Sequence, residues 1–251
     1  MYKKRRYKIV EIARKGLILL TLVSVLTGCS SGSSVSQSDE VEDRRSEFDR
    51  VRHKNSDVFA WINIPETEID YPVLQSENGD DTFYKDHNEF KKPYEKGALY
   101  IEAANLKDMC DFNEVIHGSS PADGSMFGEL DNFLDKDFFD SHRFIYVYME
   151  DNSLIYYIAA AFTRDDTRLL EQYDFSYASG CSEFIDEIYD RSNQNKLIRE
   201  DLEAAIKPEH FLVTLTSNSR TVPGKQMVVV GCLVGDVAGK IDRYVDYGNE
   251  E

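Results

Sequence analysis

No apolar run in this 251-residue sequence is long enough to cross a bilayer. Residues 16–27, "GLILLTLVSVLT", are the longest apolar stretch, well short of the ~20 residues a spanning helix needs. Positive charge is scarce too, with 29 Lys and Arg against 46 Asp and Glu and a formal net charge of −17. Seven basic side chains and a single acid lie in the first 28 residues, so the remainder carries about −23. So acidic a surface repels nucleic acid and anionic lipid headgroups, and nucleic acid is excluded as a partner. It suits a protein outside the cytoplasm among neutral or cationic partners, and it serves solubility equally. Cysteine is limited to Cys29, Cys110, Cys181 and Cys232, at spacings that fit no metal site. No internal repeat is visible, and no cofactor or metal is expected.

What is present begins at the N-terminus. A basic segment, "MYKKRRYKIVEIARK", precedes the short apolar run, which ends in "LTGC" at residues 26–29. This order of basic region, apolar core and small residues before a cysteine resembles a bacterial lipoprotein signal. The expectation is a signal peptide over 1–28 and a diacylated Cys29 as the mature N-terminus. Two acyl chains are enough for stable attachment, which would hold the protein on the outer face of the cell membrane. The other reading, an uncleaved anchor, places the remainder on the same side. With Cys29 lipidated, an odd number of cysteines is left, which argues against a full disulfide framework. Residues 29–44 then form the lipidated cysteine and a Ser-rich tether, 45–236 the folded domain, and 237–251 an acidic tail.

Within the domain, a weakly helical start with Phe48 and Val51 three apart gives way near Phe59 to short strands. "EIDYPVLQ", "GALYIEA", "NEVIHG", "RFIYVYME", "SLIYYIAAAFTR", "HFLVTLT" and "QMVVVGCLV" are rich in β-branched and aromatic residues and are bounded by Gly, Asn, Asp or Pro. The pattern predicts a mainly β barrel or sandwich. Two stretches read as helices. "SMFGELDNFLDKDFF" puts Phe127, Leu130, Phe133 and Leu134 on one face, and "SEFIDEIYDRSN" does so with Phe184, Ile185, Ile188 and Tyr189. Ser182 stands where an N-cap belongs, with Glu183 and Asp186 in the first turn.

Four segments, "DVFAWINIPETEIDYPVLQ", "DDTFYKDHNEFKKPYEKGALYIE", "NEVIHGSSPADGSMFGELDNFLDKDFF" and "FLVTLTSNSRTVPGKQMVVVGCL", together resemble class B sortases, in order, from about residue 45 to residue 234. The resemblance implies a closed eight-stranded sortase-type β-barrel with peripheral helices. One of these, around residues 182–193, is the helix that class B members carry before the late "TLTSN" strand. It also implies a cysteine transpeptidase that joins surface proteins to the cell wall. Such chemistry takes a thiol nucleophile, a histidine for proton transfer and an arginine for the developing oxyanion.

Here the three positions differ. The family's "YGHN"-type histidine falls on Ser119, its "TLSTC"-type cysteine on Asn218, and its arginine on Gln226. An asparagine amide is no nucleophile, and a serine is no general base near neutral pH. A neutral glutamine stabilises an oxyanion less than a charged donor. The leading expectation is therefore a protein that keeps the groove for binding a sorting-signal-like peptide, a surface protein or an active sortase. The alternative is an active transpeptidase or peptidase with a non-standard catalytic set. Candidate substitutes are His117 for proton transfer, Ser219 as nucleophile in a dyad with His117, and Arg220 for the missing charge. Cys232 is a further candidate nucleophile, with Arg243 as its arginine in another register. Gln226 and Cys232 are six residues apart, about 20 Å along a strand, which sets Cys232 away from the site. Cys110 and Cys181 are assigned no role. His53, His87, His142 and His210 form no metal spacing, and His87 is assigned a structural role.

Overall fold

In a computed structural model, the described residues are 37–203, 205–239 and 241, with side chains of the first helix from residue 44 onward. The expected signal peptide, lipidated Cys29 and most of the Ser-rich tether lie outside the described residues. So do Arg243 and nearly all of the acidic tail.

The first helix, α1 (Gln37–Arg52), begins inside the stretch expected to be tether. Its last turn holds Arg50 and Arg52, the charge that a helix C-terminus favours. Phe48 and Val51, on one face, are buried with Val58, Trp61, Leu74 and Tyr84 in a small outer core. Each such burial contributes about 1.5–3 kcal/mol, so two residues are enough to dock an otherwise polar helix.

Nine strands follow: β1 (Val58–Asn63), β2 (Asp70–Leu74), β3 (Leu99–Ile101), β4 (Asn113–His117), β5 (Phe144–Met149), β6 (Ser153–Asp165), β7 (Lys196–Ile198), β8 (Leu212–Asn218) and β9 (Lys225–Asp236). Their order is β5-β1-β2-β3-β4-β8-β9-β6-β7, and an additional β5–β6 pairing closes the first eight into a barrel. β7 is a short ninth strand appended to β6. The closed eight-stranded barrel is the architecture the resemblance implied. Its interior is filled by inward side chains such as Val73, Ile116, Val147, Tyr156, Leu215 and Val229.

The helical expectations are corrected in detail. Residues 130–141 form no single helix but a 3-10 turn, Leu130–Leu134, and then α2 (Lys136–Ser141). Asp135 breaks them apart by adopting an extended backbone and capping α2, its carboxylate accepting from the Phe138 N–H at 2.9 Å. A four-residue helix, α3 (Leu169–Gln172), follows β6. The helix expected from Ser182 starts a turn earlier, as α4 (Ala178–Tyr189), with Tyr177 at the cap position and no acid in its first turn. Its buried face runs Cys181, Phe184, Ile188, and Gly180 lets the chain press onto the Asp174 backbone, where a Cβ would lie 2.8 Å from the Asp174 carbonyl carbon. Ser182 is thus an interior helical residue.

Candidate functional site

β4, β8 and β9 run side by side, and β4 and β8 end where β9 begins. His117 pairs with Thr216 across the parallel β4–β8 register, and Asn218 pairs with Gln226 across antiparallel β8–β9. Side chains alternate along a strand. Ile116, Leu215 and Val229 point into the barrel, so His117, Thr216, Asn218 and Gln226 stand on its outer face. There they line a cavity of about 430 Å³ with Ser119. The glycine between His117 and Ser119 is required, because a Cβ on Gly118 would lie 2.6 Å from the Phe127 ring.

The three positions taken from the resemblance are therefore neighbours. The Ser119 hydroxyl donates to the Lys96 carbonyl at 2.5 Å. Asn218 is exposed at the strand end. The Gln226 amide is spoken for at both ends: its Oε1 accepts from Arg164 Nη1 at 3.2 Å, and its Nε2 donates to Asp166 Oδ1 at 2.9 Å.

His117 also lines the cavity. Its ring stacks on Tyr100 at 5.2 Å between centroids, and Nε2 lies 3.2 Å from Glu102 Oε1. Glu102 is buried and also pairs with Arg168, Nη2 to Oε2 at 2.6 Å and Nε to Oε1 at 3.2 Å. Burial opposes ionisation of Glu102, but His117 and Arg168 outweigh it and hold the carboxyl down at about 2. Burial, reinforced by the Glu102 charge, pushes the Tyr100 hydroxyl well up.

The other candidate substitutes are placed elsewhere. Ser219 is buried and does not line the cavity. Its hydroxyl donates to Asp131 Oδ1 at 2.6 Å, so it makes no dyad with His117. Arg220 is exposed, its guanidinium donates to the Pro121 carbonyl at 3.3 Å, and it too is absent from the cavity wall. The cavity's guanidinium is Arg168. Cys232 is buried in a second core with Cys181, Phe184 and Leu212, and burial pushes its thiol up to about 12. Cys110 is exposed, Cys181 is buried, and no disulfide joins Cys110, Cys181 and Cys232 to one another. His87 stacks on Phe83 and His142 on Phe138. Neither these nor His53 and His210 line the cavity.

Four residues of the site carried no sequence signal: Glu102, Arg164, Arg168 and Asp131. Asp131 is buried on the 3-10 turn and accepts from the Ser219 and Thr221 hydroxyls, each at 2.6 Å, and from the Arg220 and Thr221 N–H groups. Burial works against ionisation of Asp131, but these four donors prevail and lower its pKa. This carboxylate fixes the turn in which β8 ends, and so the place of Asn218. Among the described residues, no group of three or more His, Cys, Asp or Glu could hold a metal ion, and no helix is long and apolar enough to cross a membrane.

No family model matches the chain. It is similar to sortase B of Listeria monocytogenes, 38% identical over 98 residues, which is 39% of this chain and 39% of that protein. The chain thus matches about two fifths of that relative's length. With Staphylococcus aureus sortase B it is 24% identical over 193 residues, 76% of this chain and 75% of that one. Among solved structures, a mutant form of Clostridium perfringens sortase B superposes with a TM-score of 0.66 at 22% identity, covering 79% of this chain and 90% of that one. A Staphylococcus aureus sortase B–substrate complex does so at 0.63 and 21%, covering 75% and 85%. At these identities the structures speak for the fold. Taken with the barrel's closure and strand order, they give the chain the fold of the class B sortases, and both of these sequence relatives are sortase B proteins.

Proposed function

We propose that this chain is a lipid-anchored, extracytoplasmic sortase-fold protein that binds a peptide in the cavity and does not carry out thiol transpeptidation. The observation that carries this reading is the row Ser119, Asn218, Gln226 on one cavity wall, at the positions where the family resemblance expects histidine, cysteine and arginine. Without a nucleophile no acyl-enzyme forms. In a serine protease that single loss costs roughly 10^6 in kcat. The Cys232 thiol and the Ser219 hydroxyl do not fill the gap, since Cys232 is buried outside the cavity and Ser219 is bonded to Asp131. What remains is a groove with a stacked imidazole–phenol pair, an ion pair between buried Glu102 and exposed Arg168, and the exposed Asn218 amide, groups suited to hydrogen-bonding an extended chain. The Staphylococcus aureus relative solved with a substrate supports a peptide as the ligand class. A sorting-signal-like peptide, a surface protein or an active sortase presenting such a segment would each fit it. Anchoring through Cys29 rests on the "LTGC" sequence.

The test is an incubation of residues 30–251 with sorting-signal peptides and an amine acceptor, followed by mass spectrometry. No cleavage is expected. Cleavage that disappears in Cys232→Ala or Ser219→Ala would overturn the reading. A Ser119→His, Asn218→Cys, Gln226→Arg variant is expected to regain cleavage, because the groove around those positions is preserved.

A further inference from the structure

Residues 165–168, from the last residue of β6 to the residue before α3, run along the cavity and are fastened on three sides. Toward β9, Lys225 pairs with Asp165, and Gln226 Nε2 donates to Asp166 Oδ1 at 2.9 Å. Toward the opposite wall, Arg168 pairs with Glu102 at 2.6 Å and with Asp81 at 3.2 Å. From beneath, Arg164 is buried and donates through Nη1 to the Thr167 carbonyl at 2.8 Å and to Gln226 Oε1 at 3.2 Å. Its Nε donates to Glu187 on α4 at 3.1 Å. Asp166, Arg168, Glu102 and Gln226 all line the cavity, so this short strap joins one cavity wall to the other.

We propose that residues 165–168 form a latched strap that gates the cavity, and that Gln226 is the latch. The resemblance expects a cationic side chain at position 226. A guanidinium there would meet the Arg164 guanidinium, which already occupies one end of the side chain's reach. A neutral amide is the group that accepts from Arg164 and donates to Asp166 at once. The substitution thus has a positive role: it exchanges an oxyanion donor for a two-ended link between strap and sheet. The bond to Asp166 is solvent-exposed, so the strap can loosen along its β9 side without unfolding the barrel. This inference concerns regulation of the cavity described above and rests on the peptide-binding reading only for the identity of what is admitted.

The strap is tested without any ligand. Hydrogen exchange is followed at the Thr167 amide, which donates to Asp165 O, and at the Gln172 amide, which donates to Arg168 O. Carbethoxylation of His117 is followed against His142, which is outside the cavity. In Gln226→Leu and in Asp166→Ala, strap exchange and relative His117 modification are each expected to rise about two- to fivefold, the scale of one solvent-exposed contact to a charged group. Amides of Val213 and Leu215 in β8 are expected to keep wild-type exchange. The paired swap Asp166→Asn with Gln226→Glu restores one donor facing one acceptor and is expected to return both readouts toward wild type. Unchanged strap exchange in both single variants would overturn the latch. Faster exchange with unchanged His117 modification would overturn gating, and failure of the swap to restore either would show a general loosening instead. Neither readout uses peptide, so loss of the peptide-binding reading leaves the strap standing, and the reverse holds too.

Discussion

Glu102 and Glu114 show two opposite fates of a buried carboxyl. Glu102 is paired with Arg168, lies beside His117 and stays ionised, its pKa held at about 2. A carboxylate whose folded pKa is depressed stabilises the fold above its unfolded value and loses that contribution as pH falls toward the folded value. Glu102→Gln is therefore expected to cost about 2 kcal/mol at pH 7. The cost shrinks between about pH 4.5 and pH 2, and urea unfolding of both proteins at pH 7 and pH 3 measures it. Glu114 lies on β4 two residues before Ile116, hence on the inward face. It is fully buried, with Oε2 unpartnered and Oε1 accepting the Asp111 N–H at 3.3 Å. Burial first, and then the Asp111 charge, push its pKa well up. Here the sign reverses. The unfolded carboxyl ionises above about pH 4.5 while the folded one keeps its proton, so the wild type loses stability as pH rises through that window. Glu114→Gln keeps the neutral shape. It is expected to raise the Tm at pH 8 by more than about 3 °C, the shift 1 kcal/mol makes in a domain of this size, and by less at pH 4.

At the scale of elements, the site depends on two fixings: Gly118 at the end of β4 and Asp131 beneath the β8–β9 turn. Asp131→Ala strips four donors of one acceptor in a buried place. It is expected to destabilise by about 2–3 kcal/mol, with crystallography or NMR showing Asn218 displaced relative to Gln226. Loss of stability without displacement would separate Asp131 from the site. Gly118→Ala forces a Cβ against Leu99 and Phe127, and overpacking of that kind costs about 1–3 kcal/mol. Most strands were legible because period-2 alternation and turn residues are local. β7 was not, since it is three residues long with every side chain half-buried. The break at Asp135 was hidden because the apolar spacing continues across it, and only the capping bond reveals the stop. Ser119, Asn218 and Gln226 were legible through the motifs around them. Glu102, Arg164, Arg168 and Asp131 were not, because each finds its partners through barrel closure across tens of residues, and an isolated charged residue carries no periodic signal.

For the whole molecule, the central claim is a preserved groove whose reactive set has been replaced by neutral hydrogen-bonding groups. Position 226 couples two levels of that claim. Since Arg164 faces it, the Ser119→His, Asn218→Cys, Gln226→Arg variant alone brings two guanidiniums together. Adding Arg164→Gln to it is expected to raise the regained cleavage further, by several-fold in kcat/KM, as measured by peptide turnover. The most direct measurement is an NMR titration of the ¹⁵N-labelled domain with a sorting-signal peptide, followed at the side-chain amides of Asn218 and Gln226 and at the backbone of residues 116–119. Saturable shifts confined to the cavity, with the peptide recovered intact, are the expected result. A peptide recovered cleaved, or shifts absent from Asn218 and Gln226 at saturating peptide, would contradict the account.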